Sequence, residues 1–235
     1  MDFKSLSQYD DVLTDYFVDK LHLWFNTTRM NASMDCTFDE RDEAIRIIQK
    51  DILVKGSTSV AAKNAAASFL KLPYFKNLTK NYSQTELKNF KHHLSLYLYM
   101  FSPRAGYEIA STVRYTGEME GCVLAIRDWQ AGEKVSCCVG TVAILSEEDD
   151  QALRDEGRDF SVMISTRYNT ARLFLGPAKF MNHDCEANCR FVAEGSRVTF
   201  YTTKPIKCGE EMTVFYGDHY FGDGNCECRC ASCQR

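Results

Sequence analysis

The sequence lacks any apolar run approaching the twenty or so residues needed to cross a bilayer, so no membrane span is expected. Proline and glycine are scarce, at 4 and 13 of 235 residues, which leaves no room for a long flexible linker. A basic excess is also missing. The net charge of −4 argues against a general nucleic-acid binder and is compatible with a basic peptide as substrate. The opening MDFKSLSQYDD has no basic stretch followed by an apolar one, so no secretory leader is expected and the compartment reads as reducing. A Rossmann-type glycine fingerprint is absent too, because Gly117 and Gly121 are wrongly spaced and lie between strands. No internal repeat or low-complexity tract stands out.

What remains is an ordinary globular composition, 45% hydrophobic and 26% charged, long enough to bury a sizeable core without disulfides. Cysteine is the outlier, with 11 residues unevenly placed. Cys226, Cys228, Cys230 and Cys233 crowd the C-terminus, and Cys185 and Cys189 sit near His183. Cys36, Cys122, Cys137, Cys138 and Cys208 lie within or beside apolar segments and read as core thiols.

The texture divides near residue 105. Before it, Val12, Leu13, Tyr16, Phe17, Leu21 and Trp24 recur at helical spacing behind an acidic start, Asp10-Asp11. Further helices are predicted over about Asp42 to Val54, over Ser59 to Lys71 ended by Pro73, and behind a capping box, Ser83-Gln-Thr-Glu86, with Leu87, Phe90, Leu94, Tyr97 and Phe101 as its apolar stripe before Pro103. After it, short strands are predicted at Tyr107–Tyr115, Cys122–Ile126, Val139–Leu145, Phe160–Ser165, Arg172–Leu175, Arg197–Tyr201 and Met212–Tyr216. The acidic stretch Ser146–Gly157 is one helix or a surface loop. The fold class is α+β, a helical region followed by a β-rich one.

Three constellations carry chemistry. Phe180-Met-Asn182-His183-Asp-Cys185-Glu-Ala-Asn188-Cys189 pairs polar donors with a thiol placed to ligate a metal, although a histidine among apolar residues is by itself more often packed than functional. Cys226-Glu-Cys228-Arg-Cys230-Ala-Ser-Cys233 concentrates thiols that tetrahedral zinc would accept at roughly 2.3 Å per bond. Four so close together wrap one ion with difficulty; three plus a distant fourth, Cys185, is sterically easier, and a metal-free redox cluster is the alternative. Gly209-Glu-Glu-Met-Thr-Val-Phe-Tyr216 alone is a strand ending in a core tyrosine.

In this order the three resemble the SET-domain protein lysine methyltransferases, and more narrowly the suppressor-of-variegation 4-20 class, with its fungal members, that methylates lysine 20 of histone H4. Asp159–Arg167, Leu175-Gly-Pro-Ala178, Phe215-Tyr-Gly-Asp218, Tyr220-Phe-Gly222 and the N-terminal Tyr9-Asp-Asp-Val-Leu-Thr also look like that class. The resemblance implies a helical N-terminal domain over 1–105, a SET catalytic domain over 106–217 and a zinc-binding tail over 218–235. It implies S-adenosylmethionine as cofactor, held by Arg114, Gly117, Glu118, Met119, Glu120, Gly121, Cys122, Val123, Leu124, Phe160, Asn182 and His183. It implies one structural zinc on Cys185, Cys228, Cys230 and Cys233, with Cys226 a spare thiol, and the catalytic channel at Tyr216 with Ser161 limiting how many methyl groups fit. The expected partner is the histone H4 tail in nucleosomes, in the nucleus, for a monomer without membrane or sequence-specific DNA binding. Lys179 stands where many SET domains carry arginine, and Ala187 where proline is common. A catalytically silent SET fold that only binds tail or cofactor is the alternative; a zinc-stabilised DNA-binding protein would need a basic face that the charge balance does not offer.

Overall fold

The computed structural model describes residues 1–33, 35, 40–54, 58–165 and 170–234. Cys36, and Thr166 and Arg167 of the Asp159–Arg167 motif, lie outside the described residues.

The N-terminal half is helical. Helix α1 (Phe3–Leu13) is capped by Asp2, whose carboxylate accepts the Ser5 N–H, and it continues in π-helical form over Thr14–Leu23. Asp10 and Asp11 therefore do not start this helix, contrary to the expectation from the sequence. They lie inside it and are buried, because α1 begins at the Asp2 cap and turns their face toward the rest of the protein. Trp24 ends the helix in a left-handed conformation and is exposed, so it leaves the apolar stripe. Helix α2 (Arg41–Ile47) continues over Ile48–Leu53, and α3 (Thr58–Phe69) is followed by α4 (Pro73–Leu78). Pro73 opens α4 at its first turn, where its missing N–H costs nothing. Helix α5 (Gln84–Tyr99) has the predicted capping box, with Ser83 Oγ accepting the Glu86 N–H and the Glu86 carboxylate accepting the Ser83 N–H.

The second half is built from small antiparallel sheets. Strands β1 (Tyr107–Thr112) and β2 (Glu120–Ala125) pair with each other. Strands β3 (Lys134–Ile144), β4 (Val162–Ser165), β5 (Thr170–Leu175), β6 (Cys189–Glu194) and β7 (Arg197–Thr202) form a five-stranded sheet in the order β4-β5-β3-β7-β6. The acidic stretch is helix α6 (Glu147–Asp155), capped by Ser146. The predicted strand Met212–Tyr216 is not part of any ladder. It is extended chain threaded between other segments: Met212 N–H bonds to Val123 C=O at 2.8 Å, Val214 N–H to Asn182 C=O at 2.9 Å, and Cys189 N–H to Thr213 C=O at 2.9 Å. Only isolated bridges result, from Val214 to His183 and Cys189, with Glu211 just before the segment bridging to Leu124.

Helices α1 and α5 lie against β3, so one core runs through both halves, from Phe17, Phe69, Phe75 and Phe90 to Tyr107, Val123, Phe200 and Val214. Cys122, Cys137 and Cys138 are buried as predicted, whereas Cys208 is exposed, in a turn where its N–H bonds to Asp128. No helix among the described residues is long and apolar enough to cross a membrane.

Candidate active site and thiol cluster

The segment after the turn Pro177–Phe180 carries the polar motif, and the threaded strand fixes it from both sides. Asn182 Nδ2 donates to Gly121 C=O and to Glu211 Oε1, each at 3.0 Å. Glu211 also accepts the Tyr115 hydroxyl at 3.0 Å, so Asn182 and this carboxylate together tie β2, the motif and the 115 turn. His183 is buried, its Nδ1 accepting the Tyr216 N–H at 3.1 Å, and burial pushes its imidazole toward the neutral form. The Tyr216 hydroxyl donates to Met181 C=O at 2.8 Å. Burial, with Tyr220 and Glu211 nearby, raises that phenol far above its ordinary range, so it stays neutral at any working pH.

Two clefts meet at this tyrosine. The wider, about 1570 Å³, is walled by apolar side chains such as Val142, Phe174 and Phe191, with Ser161 also lining it and Arg154, Asp159 and His219 adding charged or polar groups. The narrower, about 770 Å³, is lined by Tyr115, Glu120, Gly121, Asn182 and His183, and on another side by Cys226 to Arg229 of the tail. Phe160, Lys179, Tyr216 and Tyr220 belong to the walls of both.

Of the residues expected to hold the cofactor, Glu120, Gly121, Phe160, Asn182 and His183 come together in the narrower cleft. A side chain at Gly121 would place its Cβ 2.4 Å from the buried Phe180 ring, so only glycine lets β2 approach here. Arg114, Gly117, Glu118 and Met119 lie in the exposed turn between β1 and β2, outside that wall. Cys122 and Val123 face the core, and Leu124 is half-buried beside Glu211. The sequence reading missed Tyr115, Glu211, Thr27 and Thr28. Glu211 stood inside a quoted motif without a role, and the two threonines reach the cleft from a loop far away in sequence, with no local pattern to mark them.

The thiols gather at the edge of the same cleft. Cys185 Sγ is 3.5 Å from Cys233 Sγ and 4.0 Å from Cys228 Sγ, and Cys230 Sγ accepts the Cys185 N–H at 3.4 Å. Four ligands about 2.3 Å from a tetrahedral ion stand about 3.8 Å apart, so these spacings suit zinc. The ligand atoms of His183, Cys185, Cys228 and Cys230 lie within 4.8 Å of one another, and His183 Nε2 is 3.3 Å from Cys185 Sγ. Burial and the neighbouring thiols hold Cys185 up as a thiol, while the Cys185 and Cys233 N–H groups draw Cys230 down against its own burial. The donor set thus crowds sulfurs that only a cation among them would let ionise together. Cys226 is exposed.

A buried polar knot lies behind Lys179. Asp10, fully buried, accepts from the Gly176 N–H at 2.7 Å, Tyr97 hydroxyl at 2.6 Å, His93 Nε2 at 3.0 Å and Lys179 Nζ at 2.7 Å. Burial alone would raise this carboxyl, but Lys179 and His93 more than offset it and hold it well below the usual carboxylate range. The Thr141 hydroxyl lies 3.4 Å from His93 Nδ1.

A family model described as the SET domain matches residues 120–217. The chain is 38% identical over 99% of its length to the histone-lysine N-methyltransferase set9 of Schizosaccharomyces pombe, and 37% identical over 98% to set9 of Aspergillus oryzae. It is 34% identical over its whole length to SET9 of Gibberella zeae. It spans 52%, 37% and 35% of those three relatives, respectively. With the motif, the threaded strand and the thiol cluster in one place, residues 120–217 of the chain match the SET domain.

Proposed function

We propose that this chain transfers methyl groups from S-adenosylmethionine to a histone lysine, lysine 20 of histone H4 in nucleosomes. The observation that carries the reading is the junction of two clefts at Tyr216 and Phe160, a wide one for a peptide and a narrow one for a cofactor. The relatives named as histone-lysine N-methyltransferases support the substrate class, and the resemblance to the suppressor-of-variegation 4-20 class supports the residue. Action on chromatin in the nucleus, as a monomer, goes with it.

S-adenosylmethionine would supply an electrophilic methyl group on a positively charged sulfur. Glu120, Gly121, Phe160, Asn182 and His183 are the residues that would hold it, and Cys185, Cys228, Cys230 and Cys233 would hold zinc. The protein's own task is to present a neutral amine in line. A free lysine has a pKa near 10.4, so losing its proton at pH 7.5 costs about 4 kcal/mol. An apolar passage lowers that cost, because desolvation disfavours the ammonium. Tyr216 contributes alignment. Its proton is committed to Met181 C=O, so its oxygen offers lone pairs to an amine N–H and directs the amine's own lone pair. Ser161 lines the wider cleft, and in this reading it would limit the number of methyl groups accommodated.

The test is intact mass spectrometry of all four histones after incubating nucleosomes, unmodified or H4-monomethylated, with this chain and S-adenosylmethionine. Methyl mass gained on H4 alone, mapped to lysine 20, is the expected result. Tyr216→Phe is expected to lower kcat on the order of a hundredfold through misorientation while leaving cofactor affinity within about twofold. No gain on either substrate, from protein that holds zinc and binds cofactor, would favour a silent binding module.

A further inference from the structure

Lys179 lines both clefts at their junction, yet its ammonium is held by buried partners. Its side chain is 2% exposed, bonded to Asp10 Oδ2 at 2.7 Å and to Thr14 Oγ1 at 2.9 Å. Both partners come from the N-terminal helix, some 165 residues earlier in sequence and outside the matched SET region. A buried ion pair of this kind is a poor source of stability, since desolvation consumes most of its attraction. Its place is more telling. A flexible four-carbon stem at the junction could swing its charge into either cleft if nothing held it back. Asp10 cannot follow, because Gly176, Tyr97 and His93 fix it as well.

We propose that Asp10 and Thr14 are positioning residues that retain the Lys179 charge behind the junction, so that a cationic methyl donor does not meet that charge there. The proposal rests on the reading of the narrower cleft as the S-adenosylmethionine site. Like charges in a confined, poorly solvated space repel strongly, whereas a neutral ligand of the same shape is indifferent to the added charge. S-adenosylhomocysteine is that ligand, lacking only the methyl group and the positive charge on sulfur. The signature is therefore a ratio of affinities.

The experiment measures dissociation constants for both ligands by calorimetry on the full zinc-loaded chain. Asp10→Asn is expected to weaken S-adenosylmethionine about tenfold more than S-adenosylhomocysteine. Removing the cation as well, in Asp10→Asn with Lys179→Met, is expected to return the ratio to that of the wild type. Thr14→Val, which keeps both charges and the helix, is expected to shift the ratio in the same sense by less, and carries the test should Asp10→Asn fail to fold. Equal weakening of both ligands in these variants, or a ratio that Lys179→Met does not restore, overturns the proposal and leaves the knot a packing feature. A wild-type chain that binds neither ligand overturns the methyl-donor reading, and the proposal falls with it.

Discussion

Asp11 directs its two carboxylate oxygens at backbone N–H groups of a distant loop, Met30 at 2.8 Å and Asn31 at 2.9 Å, and so pins the segment leading from Thr27 and Thr28. Burial, with Asp10 beside it, pushes its carboxyl up to about 6, the opposite of its neighbour's shift. The signs have different consequences. An unfolded aspartate titrates near 3.9, so between about pH 4 and 6 the folded chain keeps a proton on Asp11 that the unfolded chain has lost. That contribution to stability is complete below about pH 4 and is lost as pH rises through about 6. Asp10, held low, contributes above about pH 4 and loses its share as pH falls further. Urea unfolding at pH 4.5 and pH 7 is expected to show a smaller loss for Asp11→Asn than for the wild type, from a lower starting value because an amide serves one of the two N–H donors poorly. Parallel pH profiles would show that Asp11 does not titrate in this window. Neither aspartate's role was legible in the sequence. An acidic pair before an apolar periodicity looks like a helix start, and only the third dimension shows that Gly176 and Lys179 close over it.

Elements were legible where their hydrogen bonding is local. The capping box of α5 and the existence of strands β1 and β2 are written within short windows and formed as expected, although the pairing of those two strands is a finding of the structure. The chain at 211–214 was not, because its partners are Val123, Asn182 and Cys189 rather than one facing strand. Strand β6 was missed because its sequence, CRFVAE, begins inside the motif that drew the functional reading. The tail shows the same limit. The thiol spacing suggested a metal and Cys185 as its distant ligand, and the structure sets Cys185 Sγ 3.5 Å from Cys233 Sγ, but the contact of His183 with Cys185 was not foreseen. Because Cys226, Glu227, Cys228 and Arg229 wall the narrower cleft, a metal held by the tail thiols would shape the proposed cofactor cleft as well. One zinc per chain is expected by chromogenic assay after thiol modification. Chelation is expected to abolish S-adenosylmethionine binding while the far-ultraviolet helical signal, which arises mostly from the N-terminal half, persists. Cofactor affinity that survives complete zinc removal would separate the tail from the cleft.

At the scale of the molecule, the composition change near residue 105 marks a change of secondary structure and not a division of the core. Phe17, Phe90, Leu94 and Tyr97 from the helices belong to the same buried cluster as Tyr107, Val123, Cys138, Phe174 and Phe200 from the sheets. The polar connections cross the same line: Asp10 to Gly176, Thr141 to His93, and His22 Nε2 to Ile109 C=O at 2.6 Å. Periodicity could announce the helices and strands but not that they share one interior, since that depends on which faces meet. A fragment of residues 106–235 would expose the face of β3 and β5 that α1 and α5 now cover, and would leave the Lys179 ammonium without its carboxylate. Exposing that much apolar surface costs roughly 25 cal/mol for each Å², enough to consume the margin of 5–15 kcal/mol on which a domain of this size usually stands. The fragment alone is therefore expected to show no cooperative unfolding transition and no S-adenosylmethionine binding. Co-expression with residues 1–105 should restore both, because the two pieces together rebuild the core. Cooperative unfolding with wild-type cofactor affinity in 106–235 alone would mean that the helices decorate the catalytic half rather than complete it.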